Sequence, residues 1–443
     1  MIIDTIRKHK GTAIIDSSGE YNYKELSNQI EKYYSLLQNK ISENDVIVVR
    51  GDYNFYTISL LLALSKYTVI IVPIVYTTEE DFSSKIKASG TNKIITISEN
   101  SNFNITLREL KTVTDYSDLF NKQHSGIVLF SSGTTGKPKV MVHDFSNLLN
   151  SFTAPRKQRR LVFIMFLMFD HIGGLNTLLS CLNVGTPMVI PNGRNPSEIT
   201  LLIKTHGVQV LPTSPTFLNL LLMQEDLKVN DLLSLKMITY GTERMPEVLL
   251  KKLNTFLPNV KLLQTFGTSE TGIVKTQSKS SDSLYFKITD KDVDYKIIEG
   301  ELYLKTKTSV IGYKGLESNQ FKEDGWFATG DLVKVDEEGY IKVIGRINDV
   351  INVGGLKVMP LEVEGVINEI DEVLDCTVFS KKNAITGQMV CAKVVLNDIK
   401  NKNEIKKKIK EHCINTLEKY KRPAKIIFEE GLQVTSRFKK KTS

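Results

Sequence analysis

Residues 126–130 form a short apolar run that opens directly into Ser131-Ser132-Gly133-Thr134-Thr135-Gly136-Lys137-Pro138-Lys139. Glycines let backbone N–H groups turn inward, hydroxyls add donors, and two lysines supply charge, so the segment has the parts of a phosphate cradle. It is not a Walker loop: the glycines are too close together, and Lys137 is followed by Pro138, not by Ser or Thr. On chemistry alone, a phosphate loop and a plain turn both stay open. Other chemistries are excluded. Cys181, Cys376, Cys391 and Cys413 lie far apart with no CxxC pair, which argues against a disulfide scaffold or a Cys-rich zinc site. His9, His124, His143, His171, His206 and His412 show no HExxH spacing.

The 443 residues must position that loop, and 41% of them are hydrophobic, too many for a disordered chain. The net charge is +8 (58 Lys and Arg against 50 Asp and Glu), which permits anionic partners. The charge is spread out without interleaved aromatics, so nucleic acid is not expected. The first residues, MIIDTIRKHKG, lack the apolar stretch of a signal peptide. Residues 161–169 are apolar but too short to span a bilayer, and 58–76 are interrupted by Lys66 and Pro73. The expectation is a cytoplasmic protein with no membrane span.

Short β-branched runs alternate with helical stretches. Strands are expected at 46–50, 68–72, 94–97, 161–168, 208–211, 236–240 and 261–265, and helices at 55–65, 196–205 and 216–223. Ser214 with Pro215 reads as an N-cap and first helical position. This predicts an α/β protein with parallel sheets covered on both faces, and ligands at the carboxyl ends of strands. Past Ser278 the pattern turns to short strands at 301–305, 332–335 and 340–343. From about Asp349 a compact β/α unit follows, with helices at 361–370 and 402–419 and strands at 373–380 and 389–396. The expected division is 1–347, with a β-rich subdomain at about 279–347, and 348–443.

Further motifs follow the loop in order. The segment Phe130–Lys139, continued by Val140-Met141-Val142-His143, resembles the signature loop of the adenylate-forming superfamily: acyl- and aryl-CoA synthetases, adenylation domains of non-ribosomal peptide synthetases, and luciferases. Tyr240-Gly241-Thr242-Glu243 resembles its adenine-side loop, and Phe266-Gly267-Thr268-Ser269-Glu270-Thr271-Gly272 its aromatic-Gly-x-Thr-Glu motif. Gly325-Trp326-Phe327-Ala328-Thr329-Gly330-Asp331 resembles the ribose motif, and Gly345-Arg346 with Gly354-Gly355 the hinge region. Tyr420-Lys421-Arg422-Pro423 and Thr435 to Lys439 match the C-terminal end. The resemblance covers nearly the whole chain, closest to the acyl- and aryl-CoA synthetases.

That resemblance implies a large N-terminal domain and a small mobile C-terminal one. It also implies a reaction: a carboxylate attacks the α-phosphate of ATP, pyrophosphate leaves, and the acyl-adenylate passes to the thiol of coenzyme A. A phosphopantetheinyl acyl carrier protein is the alternative acceptor, and a nucleotide-binding pseudoenzyme the alternative of another class. Two anions meet in the first step, so it needs positive charge and metal. Ser131, Ser132, Gly133, Thr134, Thr135, Gly136 and Lys137 are implied to hold ATP. Glu270 and Thr134 are the implied Mg²⁺ ligands. Gly241, Thr242, Glu243, Phe266, Gly267, Thr268 and Ser269 are implied around the nucleotide, with Phe266 in place of the usual Tyr. Asp331 is implied to accept both ribose hydroxyls and Arg346 to reach ribose or phosphate. Lys439 is the implied catalytic lysine, although Phe438 stands where the family has Gly, so Lys440 or Lys441 in a shifted register stays open. Asn348 holds the hinge position, and Gly354 and Gly355 the thiol tunnel. Met168-Phe169-Asp170-His171-Ile172-Gly173-Gly174-Leu175 resembles the acyl-pocket segment, with Asp170, His171 and Gly173 lining it and His171 near the carboxylate.

Overall fold

The computed structural model describes residues 2–97, 103–107, 114–132, 138–152, 161–306, 312–314, 320–322, 324–397, 401–431, 435 and 440, with backbone alone for Ser131, Ser132 and 312–314. Residues 133–137 and Lys439 lie outside the described residues.

Two seven-stranded sheets dominate. In the first, Lys261–Gln264, Met237–Tyr240, Val210–Thr213, Phe163–Ile164, Met188–Val189 and Thr12–Asp16 run parallel, and Gly19–Asn22 closes the edge antiparallel. In the second, Gly126–Ser132, Ile70–Ile74, Val46–Arg50 and Lys93–Ile97 run parallel between antiparallel edges. Val46–Arg50 and Ile70–Ile74 are almost wholly buried, as parallel strands covered on both faces must be. The helix Phe55–Leu64 is apolar all round because it lies inside the main core; Asn54 and Thr57 start it with a reciprocal capping box.

A six-stranded antiparallel sheet follows, including Glu301–Thr306, Phe327–Val335 and Ile341–Arg346. A five-stranded sheet from Ile351 to Glu429 then packs on the helices Pro360–Ile367 and Lys402–Thr416 around its own core.

Three sequence expectations need correction. The apolar stretch 161–168 pairs as a strand only at Phe163–Ile164. Beyond it the Phe166 carbonyl accepts from Arg194 Nε and the Met168 carbonyl from His171 N–H, so those groups are lost to a ladder. The last helix stops at Thr416, not 419, because Leu417 turns extended to bury its side chain in the C-terminal core. The first parallel strands also start about two residues later than the apolar runs, at Ile70 and Val210.

Candidate active site

Thr213, Tyr240 and Gln264 stand opposite one another at the carboxyl ends of three adjacent parallel strands. The loops that leave those ends carry Ser214, Gly241–Arg244 and Thr265–Glu270, so the register brings three separate motifs to one rim. Gly241 is required by packing: a Cβ there would collide with the Thr265 side chain. Thr242 holds a left-handed backbone, φ 70°. The Glu243 carboxylate accepts from Thr216 N–H at 2.6 Å, meeting an orphan donor in the first turn of the helix Pro215–Leu222.

Phe266–Thr268 and Gly272–Val274 form a tight hairpin, and Ser269 and Glu270 sit in its turn. Glu270 is therefore held by a β-turn and not by a helix start. Thr268 Oγ1 accepts from the N–H of Glu270 at 3.2 Å and of Thr271 at 3.1 Å, which fixes the turn. A Cβ on Gly267 would meet the opposite strand's backbone at Gly272 and Ile273. The Phe266 ring packs on Phe286 at 5.3 Å and is buried.

The glycine loop joins the antiparallel strands Gly126–Ser132 and Pro138–Asp144, where Ser131 pairs with Lys139 and Ser132 with Pro138. Gly133, Thr134, Thr135, Gly136 and Lys137 lie outside the described residues. His143, the sixth residue of the second strand, is buried against the backbone of Ser269, and burial pushes its imidazole down to about 4. Its Nε2 is buried without a hydrogen-bond partner. It links the loop's sheet to the Glu270 turn, a role the sequence did not reveal.

Asp331 pairs across the antiparallel ladder with Arg346. Arg346 Nε donates to Asp331 Oδ1 at 3.0 Å, and Arg244 approaches the same oxygen at 3.8 Å. Burial raises the Asp331 carboxyl, against the pull of Arg346 and then Arg244. Asn348 lies exposed in the 3₁₀ turn Ile347–Asp349. Gly354 and Gly355 form the two-residue turn between Ile351–Val353 and Leu356–Val358, with φ 59° and 89°, the positive φ such a turn requires.

His171 caps the helix Ile172–Val184: its Nδ1 accepts from Gly173 N–H at 3.0 Å. In the neutral ring that places the proton on Nε2. Asp170 beside it is buried, and a Cβ on Gly174 would run into the Met168 carbonyl. Nearby, Asp52 and Arg194 form a largely buried ion pair across the carboxyl ends of the two large sheets, at 2.5 Å. The Tyr53 ring meets Phe169 edge-on at 5.1 Å.

Two residues join the C-terminal unit to this rim: Arg244, which sequence reasoning missed, and Lys440, which it left open as an alternative to Lys439. Arg244 faces Asp349 at 3.9 Å as well as Asp331. Lys440 N–H donates to Glu243 Oε2 at 3.0 Å, while its ammonium reaches Asp375 Oδ1 at 2.8 Å. Arg244's place beside Glu243 in the loop was the only available signal.

Residues 5–296 match the family model of the AMP-binding enzymes, and residues 362–439 match the model of their C-terminal domain. The chain belongs to the AMP-binding enzymes. A 2-succinylbenzoate–CoA ligase of Listeria monocytogenes is 25% identical over 454 residues, 96% of this chain and 94% of that one. Acyl-CoA synthetase 7 of Caenorhabditis elegans is 32% identical over 336 residues, 69% of this chain and 62% of that one. Among solved structures, an anthranilate CoA ligase in complex with anthranoyl-AMP superposes with a TM-score of 0.83 at 19% identity, covering 99% of this chain and 95% of that one. The o-succinylbenzoate CoA synthetase of Bacillus subtilis, in complex with its acyl-adenylate, gives 0.79 at 21%, covering 99% and 96%. This AMP-binding enzyme therefore has the adenylate-forming fold from end to end. No described helix is long and apolar enough to cross a membrane.

Proposed function

We propose that the rim described above carries out both half-reactions of an acid–thiol ligase. The chain activates a carboxylic acid as an acyl-adenylate and then forms the thioester of coenzyme A. In the first step a carboxylate oxygen bonds to the α-phosphorus of ATP, and the bond to the bridging oxygen breaks to release pyrophosphate. In the second the thiol sulfur bonds to the acyl carbon, AMP leaves, and the thiol proton passes to solvent.

Asp331 takes the ribose hydroxyls, exchanging part of its contact with Arg346 for them. His171, held as the Nε2–H tautomer by Gly173, donates to the substrate carboxylate. Lys439, the neighbour of a residue fixed at Glu243, neutralises the meeting anions. Thr134, Thr135 and Lys137 bind phosphate oxygens. Glu270 supplies the hard carboxylate oxygen that Mg²⁺ prefers. Among the described residues no group of three or more acidic, His or Cys side chains gathers, which fits an ion held mainly by phosphates. Such an ion would neutralise phosphate charge. The C-terminal unit from 348 onward turns between the two steps, about Asn348.

The observation that carries this reading is the meeting of the adenine-side loop, the Glu270 turn, the ribose strand and the C-terminal tail at one set of strand ends. A carrier protein as acceptor has weaker support: in the basic helix Lys402–Thr416, Lys408 pairs with Glu372 and Lys407 with Glu411. The test is AMP release by purified protein with ATP, Mg²⁺ and an acid panel, with and without coenzyme A. Release that needs both acid and coenzyme A supports the reading. Acid-dependent release indifferent to coenzyme A contradicts the choice of acceptor.

A further inference from the structure

Lys440 is tied to both sides of the cleft between the large domain and the C-terminal unit. Its N–H donates to Glu243 Oε2 at 3.0 Å, in the loop after Met237–Tyr240. Its ammonium donates to Asp375 Oδ1 at 2.8 Å and to the Cys376 carbonyl, both in the strand Val373–Asn383. The Lys440 side chain is only 24% exposed and Asp375 14%. The Glu364 carboxyl accepts from Val378 N–H at 2.7 Å and adds a second negative charge near the ammonium. Lysine is rarely taken out of water unless paired. Although burial works against its charge, Asp375 and Glu364 more than restore it. A solvated basic tail would need none of this. Glu243 is itself held by Thr216 N–H, so contacts run from the helix Pro215–Leu222 through Glu243 and Lys440 to the C-terminal sheet.

We propose that Lys440 is a positioning residue, whose ammonium at Asp375 and amide at Glu243 present the adjacent Lys439 to the nucleotide during adenylation. The inference rests on the functional reading above. Consecutive Cα atoms lie about 3.8 Å apart, so fixing residue 440 confines its neighbour. The two ties also differ in what they join. The ammonium stays with the C-terminal unit when that unit turns, whereas the amide bond to Glu243 must break. Both ties together are thereby confined to the orientation described here. The same contacts decide between neighbouring lysines: the ammonium of Lys440 is spent on Asp375 and Cys376 and is not offered to phosphate.

The test compares wild type with Lys440→Met, Lys440→Arg and Asp375→Asn in two assays: carboxylate-dependent ATP–pyrophosphate exchange, and thioester formation from supplied acyl-adenylate. Lys440→Met and Asp375→Asn are expected to lose about 100-fold in exchange, the scale of a misplaced catalytic group. Thioester formation should stay within about twofold, because only one transition state is affected. Lys440→Arg should keep most of the exchange, since arginine can still reach Asp375. Equal loss in both half-reactions, or undiminished exchange in Lys440→Met, overturns the proposal. So does loss in Lys440→Met with full exchange in Asp375→Asn, which would make Lys440 itself the group that acts on phosphate. If wild type exchanges with no acid, the functional reading falls, and hydrogen exchange of the C-terminal peptide decides this inference alone. Faster exchange in Lys440→Met and Asp375→Asn supports it; unchanged exchange overturns it.

Discussion

His143 is a buried imidazole that meets the Ser269 backbone. Its folded value of about 4 lies below the ordinary 6.5 of a histidine, so between those values the unfolded chain holds more protons. Stability is therefore complete above about pH 6.5 and is lost as pH falls toward 4, by about 3 kcal/mol at most. Thermal melts from pH 7.5 to 4 should show that slope, and His143→Gln should remove its part. An identical slope in His143→Gln would contradict the assignment. Lys439→Ala is expected to abolish adenylation while sparing thioester formation from supplied acyl-adenylate, and Glu270→Ala to abolish Mg²⁺-dependent turnover. Full adenylation by Lys439→Ala would move the role elsewhere. At this scale the sequence was legible as a fixed order of residue types. Gly241 packs against Thr265, and Gly354 and Gly355 form a two-residue turn, neighbours that residue type alone does not specify. Partners distant in sequence, such as Asp375 for Lys440, leave no local mark.

Elements were legible where local and global preferences agreed. Ser214, Pro215 and Gly207 mark helix ends, and those ends stand where their chemistry puts them. The stretch 161–168 misled because apolar runs do not reveal whether carbonyls meet a strand or a side chain. There Arg194 serves the Phe166 carbonyl and also joins Asp52 of the other sheet. Breaking a buried pair leaves one charge unpaired, so Asp52→Ala is expected to destabilise the protein by about 3 kcal/mol. Chemical denaturation measures this; a change below about 0.5 kcal/mol, the range of ordinary surface substitutions, would contradict it.

At the scale of the whole molecule, Arg244 is the contact that sequence could least foretell. It faces Asp331 of the strand Phe327–Val335 and Asp349 of the turn Ile347–Asp349 at almost equal distances. Arg244→Met should loosen the C-terminal unit in this orientation and lower adenylation more than thioester formation. Equal effects on both steps would show a general loss of stability instead. The order of motifs made the fold legible from end to end, and two of them, Gly241–Arg244 and Thr265–Glu270, leave adjacent parallel strands whose register brings them to one rim. The acid was not legible, since none of these motifs specifies it.

Carboxylate-dependent ATP–pyrophosphate exchange across fatty, aromatic, hydroxy and amino acids tests the central claim most directly. It reports the first half-reaction and assumes no acceptor. Exchange should depend on one class of acid and disappear in Lys439→Ala. Measurable ATP binding without exchange for any acid, or exchange that survives Lys439→Ala, would contradict the claim.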